Sequence, residues 1–544
     1  MSDKNLNKVI NEIKDDTNPG SRRWYIIRYT GLGLFVIGLL FFTAGMLMGP
    51  FELNEEIVRE NISNEAHLDA VLEQTKSMEG KSYANVFNFI ADLKPAISRA
   101  NESLGESNPI YEYDQGVYRL NIAKAASKGI LTTHSMLYFW LSVGLACLGA
   151  FIFFVPKLKL RLPGIDNDHI YHNSAMSLGT IGWAAGLYFI AFYVFIYWYP
   201  EYAANWINMV DPISYAIKNQ PASQWFLYGL LYTLAIVVMG VRMFIKYRHS
   251  NYHLIRTSSV MFFQTAFAFI IPELLVAFNK PYYDFKNIWP LDYDFFFDWQ
   301  IATFMDGGTL GMFMLVWGIA FAIIGVPVIT YFYGKRWYCS WVCGCGGLAE
   351  TLGDPYRQLS DNSLKAWKLE RWMVHSVLVL VTVMTIGVLY TYFTGSSNLL
   401  GIDTYNLRSW YGFLIGAAFA GVIGVGTYPI LGNRPWCRFG CPLAAYLGLV
   451  QRFKSRFRIT TNGGQCISCG NCSTYCEMGI DVRWYAQRGQ NIVRSSCVGC
   501  GVCSSVCPRG VLRLENGPEE GRFNEPKAFT INEDGIELNS EIAA

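Results

Sequence analysis

Two cysteine runs near the end of the chain decide its architecture: CISCGNCSTYC, Cys466 to Cys476, and CVGCGVCSSVCP, Cys497 to Pro508. Each reads C-x2-C-x2-C-x3-C, and the second is followed directly by Pro508. Three thiolates in so tight a loop wrap one face of a compact inorganic cube, while the fourth reaches away from it. Zinc ligation usually draws on two separated C-x2-C pairs or adds histidine, and neither run has that form. Of the 14 cysteines, 13 lie beyond residue 338 and only Cys147 stands apart, which is not the distribution of a secreted disulfide framework.

In two-cluster domains of this spacing the fourth cysteine of each run serves the other cluster. The expected ligand sets are therefore Cys466, Cys469, Cys472 and Cys507 for one [4Fe–4S] cluster, and Cys497, Cys500, Cys503 and Cys476 for the second. Gly470, Gly499 and Gly501 suit a backbone folded closely around sulfide. With all eight thiolates committed to iron, no open iron site is left for catalysis. Two adjacent clusters have one evident use, the movement of single electrons.

The rest of the chain is oil-soluble. Of 544 residues, 52% are hydrophobic and only 16% charged, against about 25% charged in an average soluble domain. Trp and Tyr, which favour membrane boundaries, are abundant. A net charge of +2 gives no basis for a nucleic-acid partner. Eight apolar stretches are long enough to cross about 30 Å of hydrocarbon: 24–49, 134–155, 176–198, 225–243, 259–278, 308–332, 373–394 and 411–431. The first is too long, and too far behind a polar leader, for a signal peptide, so it reads as a retained anchor.

Lys and Arg bias sets the expected orientation. Arg242, Lys246, Arg248 and Arg256 end or follow the fourth stretch; Lys335, Arg336, Arg357, Lys365, Lys368 and Arg371 follow the sixth; Arg452, Lys454, Arg456 and Arg458 the eighth. The loop 279–307 is instead rich in Asp. All three basic segments fall on one side, the cytoplasm, with both termini. The expected fold class is a polytopic α-helical membrane protein of about eight spans with a small α+β two-[4Fe–4S] ferredoxin-like domain at its C-terminus. Its parts are a cytoplasmic segment 1–23, an anchor 24–49, a soluble outer-side insert 51–133, a helical bundle 134–431, the cluster domain 459–515 and an acidic tail 516–544.

Two further cysteine groups stand where the sixth and eighth stretches emerge: GKRWYCSWVCGCGG, with Cys339, Cys343 and Cys345, and NRPWCRFGCPLAAY, with Cys437 and Cys441. On a helix an i,i+4 pair points both sulfurs to one face, and two facing pairs would make a four-thiolate site. Soft sulfur ligands suit iron–sulfur, Cu(I) or zinc; the bland alternative is buried thiols filling gaps.

Paired C-x3-C motifs on membrane stretches, followed by a double cluster run, resemble the NosR/NapH/CcoG-type membrane polyferredoxins over about residues 308–515. Cys437-Arg-Phe-Gly-Cys441-Pro442 matches that family's C-x3-C-P. The first motif departs from it, with Gly344 for Pro and an extra Cys345. The resemblance implies membrane electron transfer, or metalloenzyme maturation, with electrons drawn from quinol or cytoplasmic donors and passed to partner proteins. NosR-like members also carry an outer flavin domain, but 51–133 shows no flavinylation motif.

No histidine falls mid-membrane in a stretch, so a haem is not expected. Glu273, beside Pro272 within the fifth stretch, either serves a proton path or marks an early end to that span. Cys147 reads as packing. The aromatic, Asp-rich loop 282–299 reads as an interfacial belt. The functional expectation is an iron–sulfur electron-transfer component of the bacterial inner (cytoplasmic) membrane, its cluster domain in the cytoplasm. Its expected partners are membrane lipid, redox proteins and quinol, and it works within an oxidoreductase system rather than as a stand-alone enzyme. The competing expectation is copper reduction or handling at Cys339, Cys343, Cys345, Cys437 and Cys441.

Overall fold

The computed structural model describes residues 22–160, 164–165, 173–334, 336–462, 465–492, 494–516, 529–532 and 535–538. Residues 1–21, His169, His172, Lys335 and most of the tail lie outside the described residues. Among the described residues seven helices are long and apolar enough to cross a membrane: Arg23–Gly45, Ser135–Lys159, Thr180–Trp198, Gln224–Lys246, Asn251–Ala277, Gly308–Tyr333 and Leu364–Thr394. They coincide with the first seven apolar stretches, and most of their side chains face outward, as lipid-contacting helices require.

The eighth stretch takes a different form. A helix Thr404–Tyr411 continues as a widened π-helix Gly412–Ile423, opens into a turn, and closes as a short helix Tyr428–Leu431. The run GFLIGAAFAGVIGVG explains this, because closely spaced glycines weaken a regular helix and let neighbours approach. A Cβ on Gly416 would lie 2.8 Å from the Tyr293 ring.

The chain divides into two compact units, the first drawn from residues 1–164, 184–286 and 303–311, the second from 165–183, 287–302 and 312–544. In the first unit, residues 51–133 fold into the helices Glu55–Asn61, Glu65–Thr75, Val86–Leu104 and Glu112–Ala126. Asn54, Asn64 and Asn85 cap three of them by accepting first-turn amides. Phe51, Val58, Val71, Phe89, Leu93, Ile97 and Ile122 form the core.

This insert is not free-standing. The helix Ala204–Lys218, whose mixed polarity and internal Pro212 hide it from sequence reading, supplies Ala204 to the same core. Its buried Asn205 donates to the carbonyls of Gly45 (3.0 Å) and Met48 (2.6 Å), capping the first membrane helix, and accepts from Ser127 at 2.8 Å. Asn205→Ala strands those partners and is expected to cost about 1–3 kcal/mol, read as a lower midpoint of thermal unfolding.

The fifth span does not end early. It passes through a π-helical stretch Phe263–Ile270, which absorbs the lost Pro272 hydrogen bond, and continues to Ala277. Glu273 is buried, and its carboxylate sits 2.7 Å from the equally buried Lys218 ammonium. The intramembrane charge is thereby paired.

In the second unit Val377, Val381, Met384 and Val388 of the helix Leu364–Thr394 pack with Tyr411 and Phe297. Beyond it, strand Phe457–Thr461 pairs antiparallel with Leu512–Asn516, Ile459 opposite Leu514, and Ile492 bridges to Ile459. With the short helices Asn471–Thr474 and Val502–Ser505 this is the small α+β domain expected.

Candidate metal centres

The two cysteine runs fold as copies of one loop. Positive φ recurs at matching places: Ser468 (60°) and Gly499 (66°), Gly470 (83°) and Gly501 (76°), Gly479 (59°) and Gly510 (61°). The left-handed residues between the cysteines, Ser468 and Gly470 in one run and Gly499 and Gly501 in the other, turn the chain so that successive thiols converge. Ser468 is the exception to glycine, and its hydroxyl accepts from Gln487 at 2.7 Å. A side chain at Gly501 would be forced into the conformation L-residues avoid at about 1–2 kcal/mol. Gly501→Val is therefore expected to lower iron retained per chain after mild heating.

Two cavities result. One is lined by Cys476, Cys497, Cys500 and Cys503 with Ile459, Met478 and Ile480. The other is lined by Cys466, Cys469, Cys472 and Cys507 with Pro508 and Leu512. Each cavity thus gathers three thiols of one run and the fourth of the other. The soft sulfur donors and apolar walls fit a cubane in each. Among the described residues no three His, Cys, Asp or Glu side chains form a group suited to a single metal ion.

The cavities differ in exposure. Cys497 and Cys503 are buried, whereas Cys469 is exposed and Cys466 half-buried. Burial pushes the Cys472 thiol up to about 11 and Cys476 to about 12, and holds Cys503 well above the ordinary thiol value. Uncharged thiols dominate without metal, so metal loading releases protons.

The membrane-edge cysteines do not form i,i+4 pairs on single helices. Cys339 lies in the helix Trp337–Trp341, while Cys343 is the extended cap of the next helix, Gly344–Thr351. Cys437 lies in the π-turn Trp436–Gly440, and Cys441 is the extended cap of Pro442–Lys454, accepting from the Ala444 amide at 3.4 Å. Pro442 and Gly344 both break the preceding helix, because a first-turn proline sets a new start and glycine tolerates one. Cys339, Cys343, Cys437 and Cys441 are buried and Cys345 half-buried. Burial first, then the neighbouring thiols, raise Cys339, Cys437 and Cys441. The Cys343 contact leads for Cys345. All five thiols therefore share one electrostatic neighbourhood, without the helical i,i+4 geometry the sequence suggested.

Buried charge joins this thiol group to the first cavity. The Arg336 amide donates to the Cys497 carbonyl (3.2 Å), its Nε to Ser495 (2.9 Å) and its Nη1 to the Cys437 carbonyl (2.8 Å). The Ser340 hydroxyl donates to Val498 at 2.6 Å. Opposite them Glu477, next to Cys476, accepts from Arg357 at 2.9 Å and lies 3.0 Å from Arg434 Nε. Arg434 also pairs with Glu350 at 2.7 Å and donates to the Cys339 carbonyl at 3.0 Å. Sequence reading marked Arg336 and Arg357 only as positive-inside residues and passed over Glu477, Arg434 and Glu350.

Two family models match the chain. A 4Fe-4S dicluster domain covers residues 465–512, and a 4Fe-4S binding domain matches twice, over 313–362 and 413–460, each copy containing one membrane-edge cysteine motif. YccM of Escherichia coli (strain K12), provisionally named an electron transport protein, is 27% identical over 171 residues, 30% of this chain and 46% of that protein. The methylamine utilization ferredoxin-type protein MauN of Methylobacillus flagellatus is 26% identical over 169 residues, covering 28% and 54%. MauN of Paracoccus denitrificans is 27% identical over 166 residues, again 28% and 54%. The chain spans about half the length of the curated relatives it matches. No solved structure matches it.

Proposed function

Starting from a chain that is of membrane polyferredoxin type over residues 313–362, 413–460 and 465–512, we propose that it carries single electrons between a soluble or quinol-linked donor and a membrane redox partner. The observation that carries this reading is the pair of four-cysteine cavities, each completed by a thiol from the other run. Cys466, Cys469, Cys472 and Cys507 would hold one [4Fe–4S] cluster, and Cys497, Cys500, Cys503 and Cys476 the other. The clusters supply reversible one-electron chemistry.

The protein's own contribution is order and insulation. The cavity of Cys497 stands next to the membrane-edge thiols, tied to them by Arg336, Ser340 and the Glu477 ion pairs. The cavity of Cys466 opens towards solvent through Cys469. Electrons would therefore pass between a soluble partner at the outer cavity, the inner cavity and a third centre at Cys339, Cys343, Cys345, Cys437 and Cys441. Buried guanidinium groups hold the intervening loops at fixed separation and offset the negative charge of thiolate-bound iron.

The Lys and Arg bias supports a bacterial inner-membrane location with the cluster domain in the cytoplasm and residues 51–133 on the outer face. A tag at Ala544 is then unreachable from outside intact cells, while one in 51–133 is reachable.

Anaerobic purification with iron, sulfide and EPR analysis tests the assignment. About eight irons per chain and two interacting reduced signals are expected from two cubanes, with additional iron if the membrane-edge thiols hold a cluster. A preparation free of iron sinks the reading. Copper titration of protein carrying Cys437→Ser and Cys441→Ser separates it from metal handling, which requires copper binding to vanish while the two cubane signals persist.

A further inference from the structure

We propose that the rim of the outer cavity is a docking surface for a small acidic redox protein, gripped by Arg483, Arg488 and Arg509. This rests on the assignment of Cys466, Cys469, Cys472 and Cys507 to a cluster. Arg483 and Arg509 line that cavity and are exposed, as are Cys469 and Ile467 of the same lining. Arg483 reaches over the cluster loop, its Nη1 3.9 Å from where a Cβ on Gly470 would stand. Arg488, which caps the short helix Val482–Gln487 that carries Arg483, is exposed and lies 4.1 Å from the exposed Trp484 ring.

These three guanidinium groups contrast with the buried ones around the inner cavity. Arg357, Arg434 and Arg438 are each paired with a carboxylate. Among the described residues Arg483, Arg488 and Arg509 have no carboxylate partner. The carboxylates nearest them in sequence are engaged locally: Asp481 accepts from the Ser473 hydroxyl at 2.8 Å, and Glu515 from Thr460. Unpaired exposed arginines around an aromatic and an aliphatic side chain make a positive rim with a small apolar centre. Such a surface steers and orients a negatively charged partner, and Arg and Trp are the residue types that anchor interfaces. It also lies over the one cavity whose cysteine is open to solvent, where approach shortens the electron's path most. An acidic redox protein is therefore the occupant that charge and position favour.

The test uses the full-length, cluster-loaded protein in zwitterionic phosphatidylcholine nanodiscs, with an acidic bacterial flavodoxin as probe and interferometry as readout. Affinity is expected to fall about tenfold or more between low and moderate salt, and comparably in protein carrying Arg483→Glu and Arg488→Glu. Arg483→Lys with Arg488→Lys should keep most of it. Iron content and EPR are recorded on the same samples, so wild-type protein without clusters overturns the cluster assignment, and lost binding with intact clusters supports docking. Arg488→Glu alone, away from the cavity wall, gives the same reading where the pair fails to fold.

Salt-independent binding of the wild-type protein overturns the proposal, as does unchanged affinity in the charge-reversed variants. An effect confined to anionic nanodiscs assigns the arginines to lipid headgroups and overturns it as well. Binding that appears only after removal of residues 517–544 assigns the rim to the chain's own acidic tail, with the same consequence.

Discussion

Replacing Cys507 by Ser is expected to empty the cavity built by the other cysteine run. Cys507 lines the same cavity as Cys466, Cys469 and Cys472, not that of its sequence neighbours Cys497, Cys500 and Cys503. Iron should fall by about four atoms per chain, one cubane, and the magnetic interaction between two centres should disappear, leaving one isolated signal. Cys476→Ser should do the converse and spare the outer cluster. Pairing substitutions makes the crossing explicit. Cys507→Ser with Cys469→Ser should cost no more iron than either alone, since both damage one site, whereas Cys507→Ser with Cys500→Ser should remove nearly all of the ferredoxin-type iron. Failure of additivity between residues sharing a site, and additivity between residues that do not, is the signature of the partition. If Cys507→Ser and Cys500→Ser instead behaved as one site, the crossed assignment would be wrong.

The features legible in the sequence are those whose physics is local. Cysteine spacing fixes which three thiols one loop can present, whereas the expected exchange of the fourth cysteine between the runs rests on the pattern of two-cluster domains. Long apolar runs fixed seven membrane helices because length and composition alone decide whether a helix suits a bilayer. What escaped depends on partners far along the chain. The helix Ala204–Lys218 buries Trp206, Ile207, Met209 and Val210 against Phe42, Leu131, Tyr138 and Phe226 from other helices, and Glu273 is neutralised by Lys218 from another helix. The eighth stretch reads as apolar, yet its glycines favour a widened and interrupted helix. Ser468 gives no hint of positive φ except its alignment with Gly499 in the repeat. The i,i+4 reading of Cys339 and Cys343 failed because a helix break at Cys343 lies between neighbouring apolar and small residues that carry no breaking signal apart from Gly344. The buried Arg–Glu network was the largest omission, since charges in a basic-looking loop resemble topology signals until their carboxylates are located.

That network makes Arg434→Met a severe substitution. The guanidinium is buried between Glu350 at 2.7 Å and Glu477 at 3.0 Å, and also donates to the Cys339 carbonyl. Methionine fills similar space but leaves two buried carboxylates short of a counter-charge, a loss of about 3–5 kcal/mol. Against a typical total of about 5–15 kcal/mol, this should visibly weaken the second unit. Glu477 adjoins Cys476 and would lose one of its two guanidinium contacts, keeping Arg357 at 2.9 Å, so the inner cluster should be the first to go. In a denaturant titration followed by visible absorbance, the variant is expected to bleach well before the wild-type protein. Adding Glu350→Leu should recover part of the loss, because replacing both partners of a buried ion pair by apolar groups is far less costly than removing one. Equal bleaching midpoints for Arg434→Met and wild type would mean that packing and the Arg336 and Ser340 hydrogen bonds hold the membrane-edge loops to the cluster domain without help from Arg434. Recovery in the double variant, by contrast, would identify uncompensated charge rather than lost volume as what loosens the inner cluster.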